Sequence, residues 1–168
     1  MRHTLLLPLC LALAACASPP PDATASPPDA TASPPGGAAT GEPVSAQALA
    51  AHGWRLAEAS DASGKRIDAL FPKPDAALRF EFADGRLAVD GGCNRMSAAY
   101  TLDRGRLSVG PVAQTKMFCG GGALMAADEA IAARLSGPLT VSAQGDAVVL
   151  ATADGDRLVL HGEARAQP

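Results

Sequence analysis

The sequence predicts a mainly β (α+β) fold, in which an antiparallel β-meander of about eight strands forms a curled sheet or cracked barrel packed on one α-helix. Two-residue turn signals set mutually consistent hairpin registers, and one stretch of the chain has helical spacing. Because hairpins dominate and only one helix is expected, a parallel α/β sheet is disfavoured. Residues 52–162 have the length of a single domain, and we expect this fold there.

Four turns define the hairpins, because a two-residue turn determines which residues face each other across the two strands. A tip at Asp84-Gly85 pairs large apolar residues only with each other, as with Phe82 and Leu87. A first strand near residues 53–60 brings the number to about eight, and the strand at residues 147–152, which lacks alternation, is predicted to be buried on both faces. The other predicted tips are Arg104-Gly105, Gly145-Asp146 and Asp154-Gly155, with the pairs Leu102–Leu107, Tyr100–Val109, Val141–Leu150, Leu150–Val159 and Val149–Leu160.

The predicted helix has about three turns. Its apolar residues recur at helical spacing and form one stripe: Leu124, Ala127, Ile131 and Leu135. Its charged residues are placed off that stripe: Asp128, Glu129 and Arg134. Gly120-Gly121-Gly122 provides a flexible entry to the helix, and Gly137-Pro138 ends it.

Composition describes the core and limits the partners. The net charge is −3, and the 14 Lys and Arg residues are scattered without a basic stripe, so we expect no nucleic-acid partner. Aromatic residues make up only 4% of the chain, so the core is built mostly from aliphatic side chains. The aromatic residues expected in the core are Trp54, Phe71, Phe80, Phe82, Tyr100 and Phe118.

The first residues have the order of a bacterial export signal. Arg2 and His3 precede an apolar run from Leu5 to Leu13, which is too short to cross a bilayer. The segment Leu13-Ala14-Ala15-Cys16 resembles a lipobox, in which the cysteine becomes the acylated first residue of the mature chain. We therefore expect a signal peptide at residues 1–15 and a membrane anchor of lipid, palmitate included, on Cys16; an ordinary secretory peptide is the alternative.

The residues from Cys16 onward predict the cellular location of the protein and a spacer. A residue other than aspartate after the cysteine, here Ala17, implies sorting to the outer membrane in lipoproteins of this type, so the domain is expected in the cell envelope, facing the periplasm. Residues 16–51 are rich in Pro, Ala, Ser and Thr and contain a repeated Ser-Pro-Pro-Asp-Ala-Thr-Ala unit, which predicts a disordered spacer. A ligand for a proline-binding module is the alternative role. Residues 163–168 are expected to be a disordered tail.

The cysteines divide by position. Cys10 leaves with the signal peptide and Cys16 takes lipid, so Cys93 and Cys119 remain in an oxidising compartment. An even remainder favours one structural disulfide. A redox role is disfavoured because there is no C-x-x-C spacing, and no metal site is expected because neither His52 nor His161 lies at ligand spacing to a cysteine.

Two short segments carry a distinctive pattern: Gly92-Cys93-Asn94-Arg95 followed by Tyr100, and Thr115-Lys116-Met117-Phe118-Cys119. They resemble the signature stretches of the META domain, the HslJ-like heat-shock lipoprotein family, although Ala98 stands where that family more often has glycine. The resemblance implies a small β-rich domain with one helix and links to heat shock and, in some members, novobiocin resistance; it does not imply an enzymatic activity. The motif residues that it singles out are Gly92, Cys93, Asn94, Tyr100, Thr115, Met117 and Cys119.

We interpret these motif residues as a structural framework, in which Asn94 bonds to backbone groups and Thr115 and Met117 pack beside the bridge. The chain has no G-x-S-x-G, no H-E-x-x-H and no phosphate-binding glycine loop, so no catalytic residue and no cofactor are expected. The favoured hypothesis is a non-catalytic envelope stress protein that acts through protein contact. The alternatives are a small-molecule or lipid carrier with a cavity lined by Phe80, Phe82 and Leu102, and a thiol enzyme that uses Cys93 or Cys119.

Overall fold

Nine antiparallel strands form one sheet in the computed structural model of the protein, which describes residues 43–164. The predicted signal peptide, Cys16, residues 17–42 and residues 165–168 lie outside the described residues. The strands are β1 (Gly53–Ser60), β2 (Arg79–Ala83), β3 (Arg86–Asp90), β4 (Met96–Asp103), β5 (Arg106–Val109), β6 (Ala113–Gln114), β7 (Leu139–Gln144), β8 (Ala147–Thr152) and β9 (Arg157–Glu163).

Eight of these strands close into a barrel in the order β3-β2-β1-β9-β8-β7-β5-β4, because β3 and β4 also pair with each other. The two-residue β6 lies outside this ring and pairs with the first residues of β4. Within the described residues there are also two α-helices, α1 (Ala46–Ala50) and α2 (Gly122–Leu135), and a 3-10 helix at Asp68–Leu70. The predicted fold class, a β-barrel on one main helix, is confirmed.

The barrel has two distinct ends, which follow from the antiparallel pairing. The tips at residues 84–85, 104–105 and 145–146 lie together, and we call this the hairpin end. At the opposite end β1 and β3 finish and β4 begins, and this end receives α2 and the 3-10 helix, which pack against each other. We call it the helix end.

Three of the four predicted registers are confirmed. The pairs Phe82–Leu87, Leu102–Leu107 and Val141–Leu150 all occur. In each hairpin the two-residue tip brings apolar side chains opposite each other, so the burial pattern and the turn chemistry specify the same register. The predicted burial of the strand at residues 147–152 also holds for its first four residues, Ala147–Leu150.

The fourth register is wrong by one residue, because Thr152 and Asp156 bond across a three-residue loop, residues 153–155, and not across a two-residue tip. The Thr152 amide donates to the Asp156 carbonyl over 2.9 Å, and Gly155 adopts a positive φ of +92° inside the loop. Leu150 therefore pairs with Leu158 and Val149 with Val159. The observed register places core residues opposite each other, since Leu150 and Leu158 both belong to the core cluster.

Aliphatic and aromatic side chains fill the barrel. Phe80 and Phe82 are fully buried, and the Phe82 and Tyr100 rings meet edge to face with centroids 5.3 Å apart. Trp54 is buried as predicted, while Phe71 is half-buried at the edge of the core. The prediction for Phe118 is wrong: 85% of this residue is exposed.

The predicted boundaries of the domain need correction on both sides. Residues 43–51 were assigned to the spacer, yet Val44 is buried, Leu49 is 0% exposed, and α1 starts at a Ser45 cap whose side chain accepts a hydrogen bond from the Ala48 amide. Trp54 Nε1 donates to the Leu49 carbonyl over 2.8 Å, which ties α1 to the hairpin end. At the other terminus β9 continues to Glu163, whose carboxylate pairs with Arg55. No helix formed by residues 43–164 is long and apolar enough to cross a membrane.

The burial of Leu49 can be tested directly. We expect Leu49→Ala to lower the free energy of unfolding by about 2–5 kcal/mol, because it opens a cavity at the hairpin end. The matched control Gln47→Ala, on the exposed face of the same helix, should change it by less than about 0.5 kcal/mol. Urea unfolding measures the stability of both variants. If the two are equally stable, residues 43–51 belong to the spacer and not to the domain.

Candidate functional site

Two loops meet at the helix end of the barrel. One joins β3 to β4 and contains Gly92, Cys93 and Asn94; the other joins β6 to α2. Cys93 and Cys119 form the disulfide that the sequence predicts, with their Cα atoms 5.7 Å apart. We call the second loop, residues 115–121, the bridged loop. Of the predicted motif residues, six lie in these two loops, whereas Tyr100 lies apart from them inside the barrel.

The side chain that organises both loops is Asp128, on α2. The Cys93 amide donates to Asp128 Oδ1 over 3.1 Å, and the Asn94 amide and Asn94 Nδ2 both donate to Asp128 Oδ2 over 2.9 Å. Asp128 is only 5% exposed, although the sequence placed it off the buried stripe of the helix. That prediction is wrong: a carboxylate can occupy a buried position when N–H donors satisfy its oxygens.

The sequence does contain a signal for this position. Asp128 follows Leu124 by four residues and precedes Ile131 by three, so the three side chains lie on one face of the helix. Grouping apolar residues alone leaves Asp128 out of the buried stripe, although Ala127 beside it is buried as predicted. An acidic residue at a core position of an amphipathic helix predicts a buried hydrogen-bond acceptor.

Asn94 connects α2 to the bridged loop. Its Nδ2 donates to Asp128, while its Oδ1 accepts hydrogen bonds from the Thr115 hydroxyl over 2.9 Å and from the Met117 amide over 2.8 Å. Thr115 Oγ1 also accepts from the Arg95 amide over 3.2 Å. Asn94 and Thr115 therefore connect the two loops by hydrogen bonds, and both polar atoms of the Asn94 side chain take part in them.

The two glycines before the bridge are required by close packing. A Cβ at Gly92 would overlap Asp128 Oδ1, so any larger residue would displace the carboxylate. Gly91 has a φ of +107°, and a Cβ there would lie 2.7 Å from the Ala77 carbonyl oxygen. The backbone of the β3–β4 loop thus approaches both α2 and the chain before β2 at distances that only glycine allows.

A charged pair and a shallow cleft border this framework. Arg95 Nε donates to Asp90 Oδ1 over 2.7 Å, and this hydrogen bond raises the pKa of the Arg95 guanidinium. The cleft has a volume of about 360 Å³ and runs from Asp90 and Arg95 to Thr115 and Met117. It is open to solvent and lies outside the barrel core.

The bridged loop presents apolar side chains to solvent. Met117 is 62% exposed and Phe118 is 85% exposed, and within residues 43–164 they are the large hydrophobic residues with exposed side chains. The expectation that Met117 packs beside the bridge is therefore wrong: its amide is held by Asn94, and its side chain points outward. Apolar residues held outward on a restrained loop are typical of a contact surface.

The cysteines and the carboxylate of the site all have partners. Both cysteine sulfur atoms of the site are in the disulfide, and Asp128 has its oxygens occupied by N–H donors. Within the described range no group of three or more His, Cys, Asp or Glu residues is placed to hold a metal ion.

The fold and site together define a class of protein: a small closed β-barrel capped by one helix, with a disulfide joining two loops at the helix end. A model of the META domain matches residues 47–165, and the chain belongs to this family. The match begins within α1, in agreement with the corrected boundary. A search of the curated proteins finds no match.

Solved structures share the fold. An NMR structure of a protein from Burkholderia xenovorans has 22% sequence identity and a TM-score of 0.61, covering 84% of this chain and 99% of that chain. A second NMR structure has 24% identity and a TM-score of 0.53 and covers 70% and 94%. The crystal structure of a DUF4847 family protein from Bacteroides vulgatus has 12% identity and a TM-score of 0.50 and covers 71% and 98%. Identities this low show similarity of fold alone.

We expect Asp128→Asn to lower the free energy of unfolding by about 3 kcal/mol, because an amide replaces one acceptor with a donor that faces the Asn94 and Cys93 N–H groups. The matched control is Glu129→Gln, the exposed neighbour on α2, which should change stability by less than about 0.5 kcal/mol. Chemical denaturation measures the difference. Equal effects of the two variants would show that the Asp128 bonds contribute no net stability.

The disulfide is expected to contribute separately. For a separation of 26 residues, the double variant C93S/C119S should lose about 3.5 kcal/mol of stability through the restored entropy of the unfolded chain. Full reduction of the unaltered protein should produce the same loss, which provides an internal control. A variant as stable as the oxidised protein would contradict a stabilising role for the bridge.

Proposed function

We propose that this META-domain protein is a non-catalytic lipoprotein of the bacterial envelope that acts in the stress response by contact with another envelope component through the bridged loop. The single observation that carries this proposal is the outward display of Met117 and Phe118 on a loop that a disulfide and Asn94 both restrain. A restrained apolar surface loses little conformational entropy on binding, which favours contact.

The non-catalytic part of the proposal is supported by how the polar groups are used. Asn94, Thr115 and Asp128 bond mainly to one another and to backbone amides, which leaves them to hold loops in place. With Cys93 and Cys119 bonded to each other, neither is an available thiolate, so the arrangement gives no support to the alternative of a thiol enzyme.

The carrier alternative receives no support from the interior of the barrel. Phe80 and Phe82, two of the three side chains expected to line a cavity, are packed in the core cluster, and Leu102 packs against that cluster. A cleft of about 530 Å³ near Glu58 and Arg157 is open to the surface and is lined mostly by polar and charged residues.

The location in the cell envelope is proposed from residues outside the described range. The apolar run before Leu13-Ala14-Ala15-Cys16 supports export and acylation of Cys16, and Ala17 supports sorting to the outer membrane. A lipid anchor and a contact surface on one chain are compatible, because the chain of residues 17–42 separates them. The stress role, which includes heat shock and novobiocin resistance, is proposed from membership of the META family.

The anchor is tested by Cys16→Ser, which should move the protein from the membrane fraction to the soluble periplasmic fraction. The matched control is Cys10→Ser, which removes the other cysteine of the N-terminal segment and should leave the membrane fraction unchanged. Fractionation followed by mass spectrometry of the acylated N-terminus reads out both variants. Complete retention of Cys16→Ser in membranes would contradict the anchor.

The contact role is tested in cells with the double variant M117S/F118S. We expect this variant to fold normally, since both side chains are exposed, but to grow like a deletion strain under heat or novobiocin. A double variant of exposed polar residues on the hairpin end, Q144A/D146A, should grow like the unaltered strain. If M117S/F118S restores growth fully, the bridged loop is not needed for the function.

A further inference from the structure

The bridged loop lies in a long stretch that is almost free of charge. Of the 21 residues from Leu107 to Ala127, only Lys116 is charged, in a chain of which 18% is Asp, Glu, Lys or Arg. The stretch includes β6, the bridged loop and the first turn of α2, which contains no acidic residue. The helix end of the barrel therefore carries a surface segment with one positive charge and no negative charge.

After Gln114, Thr115 and Lys116, the exposed side chains of this segment are apolar or small. Phe118 and Met117 extend from the bridged loop, and just after it Ala123 and Ala126 are exposed at the start of α2. Leu124 and Met125 beside them are half-buried. Lys116, at the edge of the apolar pair, is exposed and has the long aliphatic stem that lets a cation stay in water while its neighbours enter an apolar phase.

We propose that the envelope component contacted by the bridged loop is a phospholipid bilayer: Met117 and Phe118 enter the boundary between headgroups and acyl chains, and Lys116 stays at the level of the lipid phosphates. This inference rests on the proposed contact role of the loop. Aromatic and apolar side chains with a flanking cation are the pattern of interfacial membrane contacts.

The low charge of this segment favours a bilayer over a protein partner. Protein interfaces have a polar rim and about one hydrogen bond per 100–200 Å², whereas residues 117–126 contain no charged, hydroxyl or amide side chain, and the charged pair of Arg95 and Asp90 lies at the other end of the cleft from Met117. A bilayer requires the opposite, because each charged group carried into it costs free energy and only a peripheral cation is favourable next to anionic lipids. Lys116, the one charged residue of residues 107–127, is such a peripheral cation.

The chain outside the structure is long enough to permit this contact. The described residues begin at Pro43, which pairs with Ser142 at the hairpin end, opposite the bridged loop. The eight residues of β4 span about 26 Å between the two ends, while the 26 residues from 17 to 42 can reach about 85 Å when extended. A chain tethered through Cys16 can therefore turn its helix end toward the same membrane.

The experiment uses residues 17–168, which are the expected mature chain without Cys16 and include every described residue. A hexahistidine tag before residue 17 binds it to nickel-chelating lipid in vesicles of phosphatidylethanolamine and phosphatidylglycerol. The tether is supplied by the experiment, so the result does not depend on acylation of Cys16. The probe is F118W, which an exposed site tolerates, and the matched control is Q144W at the hairpin end.

We expect the emission of F118W to shift to shorter wavelength on these vesicles and to be quenched when the acyl chains carry bromine. Q144W and the unaltered chain, which contains the buried Trp54, should show neither change. The further change K116E in the F118W chain should reduce the quenching, because it places a negative charge beside anionic lipid.

Three results would overturn the bilayer contact: an unchanged F118W signal, equal quenching of F118W and Q144W, or quenching of Q144W alone. An unchanged F118W signal together with a growth defect of M117S/F118S would keep the contact role and assign the loop to a protein partner. Quenching of F118W together with full growth of M117S/F118S would instead keep the membrane contact and remove the proposed stress function.

Discussion

The hydrogen bonds of one buried carboxylate hold the site of this protein together. Asp128 accepts two backbone N–H groups and one side-chain N–H group from the β3–β4 loop, so it attaches α2 to the barrel at the point where β4 begins. Asn94 then passes the restraint to the bridged loop through Thr115 and Met117. Because neither loop has regular secondary structure, its backbone polar groups need such partners, and the carboxylate supplies several at once.

The covalent and the hydrogen-bonded restraints act on different parts of the bridged loop. Asn94 fixes its beginning at Thr115 and Met117, and the disulfide fixes its end at Cys119. Phe118 lies between the two attachments and is left without a place in the core. A loop held on both sides of one residue keeps that residue on the surface, which explains how an aromatic side chain remains exposed beside a barrel with an apolar interior.

Most of the fold could be predicted from the sequence, because hairpin registers depend on local information: a two-residue tip and the apolar pairs beside it. The β8–β9 hairpin was mispredicted because Thr152 and Asp156 close a three-residue loop, and Asp154-Gly155 reads equally well as a two-residue tip. The burial of Leu49 was not predicted, because it depends on contact with Trp54 at the hairpin end. The Pro-rich composition of the residues before Leu49 predicts a spacer instead. The cysteine pairing was predicted by counting, whereas the partners of Asn94 depend on Asp128, 34 residues further along the chain.

The exposure of Phe118 lowers the stability of the folded protein, and nothing in the packing of the barrel requires it. Leaving a large aromatic side chain in water forfeits roughly 1.5–3 kcal/mol of hydrophobic stabilisation, a substantial fraction of the net stability of a small domain. A polar residue at position 118 would fit the same backbone, since neither Asn94 nor the bridge uses the Phe118 side chain. The Asp128–Asn94 hydrogen bonds and the disulfide therefore hold in place a loop whose Phe118 side chain contributes little to the stability of the barrel. The exposed ring is better explained by contact between the bridged loop and another component.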